Sequence, residues 1–242
     1  MRWGYIRGAG GMPVPLELPV DTYCHALLCG SSGSGKSFSL LYLAGNILQS
    51  NPDIVITFCD FKNSEDFEFL KGYPNYYSGD DCYHGILNYY QDFSNARIKG
   101  RNKIRHLLII DEYPALVTYL ATKDKLDKTK KANEILSAVA EILMVGRGIS
   151  FGIWIITQRP DASMFSNGVR LNFMVTCALG HLDKETKSMI GAADIPDKVY
   201  KKGEGIILSD SNPAYEIKFP RIRNIVDWKK HIKQELMNHF NK

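Results

Sequence analysis

Short, nearly unbroken apolar blocks alternate along this chain with stretches in which apolar residues recur every three or four positions. "HALLCG" (25–30), "IVITFCDF" (54–61), "HLLIIDEY" (106–113), "SFGIWIITQRP" (150–160) and "FMVTCALG" (173–180) are of the first kind. Such runs suit strands buried on both faces, where neither side of the pleat meets water. Between them the spacing changes to helical. Residues 36–50 place Phe38, Leu40, Leu41, Leu43, Ala44, Ile47 and Leu48 on one broad face. A short helix is predicted over 64–70 behind Ser64, a longer one over 80–101, an amphipathic one over 132–146 and a terminal one over 225–240 carrying Ile232, Leu236 and Phe240. "EGIILS" and "YEIKF" read as a late hairpin around "DSNPA".

Strands alternating with helices predict an α/β fold with a mostly parallel central sheet and helices on both faces. Residues 1–20, rich in Gly and Pro with one strand candidate in "VPLEL", read as an irregular N-terminal arm ahead of a single domain over 21–242. In parallel sheets ligands bind beyond the C-terminal strand ends. The polar motifs of this chain fall there: after 30, after 60, at 111–112 and at 158–159.

Composition narrows the class only modestly. The 242 residues are 45% apolar, enough for one sizeable core. A net charge of +4 permits a polyanionic partner without demonstrating one. The five cysteines (Cys24, Cys29, Cys59, Cys82, Cys177) lack zinc-ligand spacing and mostly sit in apolar runs. They read as buried, reduced thiols of a cytoplasmic protein. No apolar run approaches the ~18 residues of a membrane span, and the start lacks the apolar core of a secretory signal. Membrane association is expected only through a partner.

Residues 30–37, "GSSGSGKS", fit G-x-x-x-x-G-K-[ST] between a buried strand and a helix, the context a phosphate-binding loop requires. Gly30, Gly33 and Gly35 admit backbone angles that let the N–H groups of Ser31, Ser32, Ser34 and their neighbours turn inward around an anion. The helix beginning near Lys36 adds its positive end, and Phe38 lies in its first turn. Lys36 is expected on the β- and γ-phosphates and the Ser37 hydroxyl on Mg²⁺. "HLLIIDEY" supplies the second half of an ATP site. Asp111 is expected to hold Mg²⁺ through water, and Glu112 to orient and polarise the attacking water. The paired acids point to hydrolysis rather than to a kinase or a switch GTPase.

"GISFGIWIITQRPD" (148–161) resembles the strand of FtsK/HerA-type DNA-pumping ATPases that ends in T-Q-R-P. "CDFK" (59–62), "AEILMVGRGISFG", "GVRLNF" (168–173) and "LDKETKSMIGAAD" (182–194) resemble further elements of that family in the same order, so the resemblance runs from about residue 20 to 222. It implies a RecA-like core, a homo-oligomeric ring, most often a hexamer, and the movement of double-stranded DNA at the expense of ATP. It implies for Gln158 the role of the strand-tip γ-phosphate sensor, for which an amide that both donates and accepts is suited.

The chain departs from that family at one position. Where segregation motors of the family often carry an arginine that serves the neighbouring subunit's ATP, this chain has Glu185. Arg147, Arg159 and Arg170 are the alternatives, with Arg147 and Arg170 preferred. The chain shows no membrane domain and no winged-helix DNA reader, so a membrane-anchored or capsid partner would supply tethering, as suits conjugative transfer or genome packaging. The lysines of "TKDKLDKTKK" (Lys123, Lys125, Lys128, Lys130, Lys131) read either as a solvated loop or as a DNA-phosphate contact. Two other readings stay open: a type VII secretion-like protein-export ATPase, and a non-catalytic nucleotide-gated subunit. The full Lys36, Ser37, Asp111 and Glu112 set argues against the second.

Overall fold

The computed structural model describes residues 1–100, 104–160, 165–195, 197–210 and 212–240. Arg101, Asp161 and Ser211, which belong to stretches quoted above, lie outside the described residues. The expected strands form as β3 (His25–Gly30), β4 (Val55–Asp60), β6 (His106–Asp111), β7 (Phe151–Thr157) and β8 (Val175–Leu179). A short strand, β5 (Tyr76–Ser78), joins them. The late hairpin is β9 (Glu204–Ser209) and β10 (Asn212–Lys218). The sheet order is β2-β1-β10-β9-β8-β3-β7-β6-β4-β5, counting β1 (Arg2–Arg7) and β2 (Pro13–Glu17). From β8 to β5 every pairing is parallel; from β8 to β2 every pairing is antiparallel.

Period-two alternation divides the core. Ala26, Leu28, Leu107, Ile109, Trp154 and Ile156 point to one face, under helices α1 (Lys36–Ser50) and α6 (Ile225–Phe240). Leu27, Leu108, Ile110, Ile153 and Ile155 point to the other, under α2 (Cys82–Lys99), α3 (Tyr113–Asp127) and α4 (Lys131–Val145). This explains the unbroken apolar runs: both sides of each central strand are covered. All five cysteines are buried and none is in a disulfide. Tyr89 and Phe93 are core residues of α2. Leu182 and Ile190, on either side of the short α5 (Lys184–Met189), cluster with Tyr200 and with Ala178 of β8.

Three expectations change. Residues 1–20 are not an irregular arm, because β1 and β2 extend the sheet and Trp3, 2% exposed, packs 5.6 Å from Trp154. Pro13 and Pro15 are tolerated because β2 is an edge strand, where a missing N–H costs no ladder bond. The helix expected over 64–70 is only a 3-10 turn at Glu68–Leu70. Much of the lysine-rich loop is helical. α3 runs to Asp127, and Asp124 caps α4 by accepting from the N–H groups of Lys131 and Ala132, both at 2.9 Å.

α6 reaches the functional rim because Trp228 locks it to α1. The indole N–H donates to the Leu41 carbonyl at 2.9 Å, and the ring lies over Gly45. A methyl group at Gly45 would fall 2.1 Å from that ring. Alanine in a helix is ordinarily worth about 0.5–1 kcal/mol over glycine, but overpacking costs about 1–3 kcal/mol. Gly45→Ala is therefore expected to lower the melting temperature and to alter Trp228 fluorescence. An unchanged or raised melting temperature would show that α6 does not bear on α1 in this way.

Candidate active site

Parallel register brings the functional residues to one rim. Asp60 is paired with Asp111, Asp111 with Ile156, Cys29 with Thr157, and Gly30 with Leu179. The strands therefore end at one level, and the segments leaving their ends surround a cleft of about 420 Å³.

The loop 30–37 forms one wall. Gly30, Gly33 and Gly35 have φ of 150°, 80° and 101°. Gly35 permits no side chain, since a Cβ would lie 2.8 Å from the backbone nitrogen of Gly203. The loop is held from behind by the turn 201–203, where the Gly203 N–H donates to the Ser34 carbonyl at 2.8 Å. Ser32, Gly33, Gly35, Lys36, Ser37 and Phe38 line the cleft. Gly30, Ser31 and Ser34 stand behind it: the Lys36 ammonium donates to the carbonyls of Gly30 (2.6 Å) and Ser31 (3.1 Å), and Ser34 is buried.

Asp111, Glu112 and Gln158 face this loop across the cleft. Glu112 is buried, with left-handed backbone angles (φ 58°, ψ 46°) that are costly for a non-glycine residue. Its carbonyl accepts from the N–H groups of Ala115 and Leu116, so it is also the N-cap of α3. Lys62 pairs with it, Nζ to Oε1 at 3.2 Å. Burial pushes the Asp111 carboxyl up to about 7, with the like charges of Glu112 and Asp60 adding to it. Burial also draws the Lys36 ammonium down, against the pull of Glu112 and Asp111. Asp60, fully buried, accepts from the Ser64 N–H at 2.8 Å and the Tyr76 hydroxyl at 3.1 Å through Oδ2, while Oδ1 has no partner among the described residues.

This arrangement fits a nucleotide phosphate chain and its cation. Acids crowded at a buried rim favour a divalent ion, and the inward-turned loop and Lys36 favour an anion. Among the described residues no cluster of three metal-ligating side chains occurs. Mg²⁺ needs only one or two carboxylates beside phosphate and water oxygens. Ser37 and Asp111, which both line the cleft, are the residues that would hold it.

The arginines lie apart. Arg147 precedes β7 beside His25, and Arg170 precedes β8, so both occupy the opposite rim of the sheet. Arg159 stays near the cleft side but faces Asp183 (3.5 Å) and Glu185 (3.9 Å). Lys123 is engaged with Asp80 at 2.8 Å and lies over Tyr119, and Lys131 lies over Tyr83. Lys125, Lys128 and Lys130 are at the far end of α3 and the turn beyond it, where Lys128 and Lys130 are exposed.

Sequence reasoning passed over several residues of the cleft. Lys62, Ser64 and Asp66 follow β4, Lys202 lies in the turn behind the loop, and Ile225 and Lys229 come from α6. "CDFK" carried a signal in the sequence, and Ser64 and Asp66 follow on the same segment; Lys202, Ile225 and Lys229 arrive through tertiary packing.

No protein-family model matches the chain. It is 26% identical over 170 residues to the FtsK domain-containing protein YdcQ of Bacillus subtilis (strain 168), a match covering 66% of this chain and 35% of that relative. Among solved structures, EssC (ATPases 2 and 3) from Geobacillus thermodenitrificans aligns with a TM-score of 0.72 at 14% identity, over 99% of this chain and 48% of that one. The pCW3 conjugation coupling protein TcpA, in its monomer form with ATPγS, aligns with a TM-score of 0.66 at 16% identity, over 93% and 69%. The chain thus spans about half or less of the YdcQ and EssC chains. The shared fold is that of RecA-like P-loop ATPases.

Lys36→Ala is expected to weaken MgATPγS binding by more than about tenfold, the loss of a charge-assisted contact. Gly35→Ala should do the same by displacing the loop from Gly203. Calorimetric titration checks both, and wild-type affinity in either variant would contradict the phosphate-loop geometry.

Proposed function

We propose that this chain, similar to an FtsK domain-containing protein, is an FtsK-like P-loop ATPase domain that hydrolyses Mg-ATP to move double-stranded DNA, acting as a homo-oligomeric ring of six. The observation that carries the reading is the single cleft in which the loop 30–37, Asp111, Glu112 and Gln158 meet. Lys36 and the loop N–H groups would hold the β- and γ-phosphates, and Ser37 and Asp111 would hold Mg²⁺. The cation supplies charge neutralisation along the phosphates. Glu112, fixed by its N-cap position, orients the attacking water and accepts its proton. Gln158 donates to the terminal phosphate. An arginine acting on a neighbouring subunit's nucleotide would be Arg147 or Arg170, since both lie away from this chain's own cleft.

The DNA contact is assigned to Lys125, Lys128 and Lys130, at the far end of the helix that Glu112 caps. Phosphate contacts of this kind give a grip that is independent of sequence and sensitive to salt. A membrane-anchored or capsid partner would tether the ring.

Duplex DNA is expected to raise the ATPase rate of the assembled protein, and the stimulation should fall steeply as salt rises. Glu112→Gln should bind ATP and turn over at least about a hundredfold more slowly. A triple variant, Lys125→Gln, Lys128→Asn and Lys130→Gln, should lose DNA stimulation and keep its DNA-free rate; asparagine tolerates the left-handed backbone at 128 (φ 54°). Stimulation by an export-signal peptide in place of DNA would move the assignment to protein export. An ATPase rate indifferent to DNA at every salt concentration would end the DNA reading.

A further inference from the structure

Lys62 is a cation of the cleft, paired with Glu112, to which no role is assigned above. It sits at the apex of a turn held at several points. The Asn63 N–H donates to the Asp60 carbonyl at 3.2 Å, and the Ser64 N–H donates to the Asp60 carboxylate. Phe61, next to it, packs against Tyr119 of α3 with ring centroids 5.3 Å apart. The backbone of the turn is therefore anchored while the lysine side chain remains 45% exposed. Its ammonium is 3.2 Å from Glu112 Oε1, on the wall opposite the phosphate loop, and close enough to Lys36 for the two to repel.

We infer that Lys62 reads the terminal phosphate of a bound nucleoside triphosphate, exchanging its ion pair with Glu112 for one with that phosphate. The inference rests on the nucleotide reading of the cleft given above. The exchange is favoured by charge: a terminal phosphate carries more negative charge than one carboxylate and offers more acceptor oxygens. It is favoured by reach as well, since a partly exposed lysine on a fixed turn can swing while its backbone stays in place. Departure of Lys62 leaves the Glu112 carboxylate free to accept a hydrogen bond from water. A nucleoside diphosphate lacks the group that draws Lys62 away, so Glu112 stays paired. Lys62 thus makes a binding contact that distinguishes triphosphate from diphosphate. Lys36 and the loop, by contrast, hold phosphates common to both.

The competing role for Lys62 is to neutralise the acids of the rim without touching nucleotide. Calorimetric titration of the full chain with MgATPγS and with MgADP separates the two. Lys62→Ala is expected to weaken MgATPγS by about tenfold and to leave MgADP within about twofold. Lys62→Arg should restore most of the triphosphate preference. Glu112→Gln frees Lys62 from its partner and should tighten MgATPγS relative to MgADP; that gain should vanish in Lys62→Ala/Glu112→Gln, as coupled residues require. Equal weakening of both nucleotides by Lys62→Ala, or no change in either, overturns the inference while leaving the nucleotide site standing. Failure of the wild-type chain to bind either nucleotide overturns it together with the reading on which it rests.

Discussion

The parallel pairing of β4, β6, β7, β3 and β8 sets the constraint on which the rest of this molecule depends. Because neighbouring strands end at the same level, the chain must leave the sheet on one rim at every C-terminal strand end. Several of those exits carry charge or an open backbone: Asp60, Asp111 and Glu112 on one side, the loop after Gly30 on the other. The rim is buried enough that Asp111 is driven toward neutrality, and Lys36 and Lys62 are the cations that offset it. Shifting one strand by a residue would turn its apolar side chains to the wrong face and remove its acid from the cluster. Core packing and site geometry are therefore fixed by the same register.

Much of this was legible in the sequence because its two strongest signals are physical. Strands covered on both faces need continuous apolar runs, and a phosphate cradle needs glycines between a strand and a helix. The elements that escaped lack such signals. α3 was invisible because its apolar residues form no clear stripe and Pro114 reads as a breaker, although proline is acceptable in a first helical turn. The β1–β2 hairpin was hidden by glycines and prolines that an edge strand tolerates. Lys202, Ile225 and Lys229 reach the cleft only because a turn supports the phosphate loop and Trp228 docks α6 on α1. A linear reading has no access to contacts of that kind.

The sheet's two edges also bear on how copies could meet. One edge ends in β2, whose prolines withhold donors; the other ends in β5, which spans only Tyr76–Ser78. Neither offers a long ladder for a further strand. Arg147 and Arg170 lie on the rim away from the cleft, whereas Arg159 is held by acids of its own chain. Association through side chains of the rims and helices is more compatible with this surface than extension of the sheet from copy to copy.

α3 begins at Glu112 and ends beside Lys128, fifteen residues of continuous helix over Tyr113–Asp127. At ~1.5 Å per residue it is a rod of about 22 Å. Its root is the residue beside Asp111, and its midpoint leans on Phe61 through Tyr119. A lever of that length multiplies small angles: a tilt of about 10° at the root sweeps the tip through roughly 4 Å. A change confined to the cleft end of this helix is thus felt, enlarged, at its exposed far end.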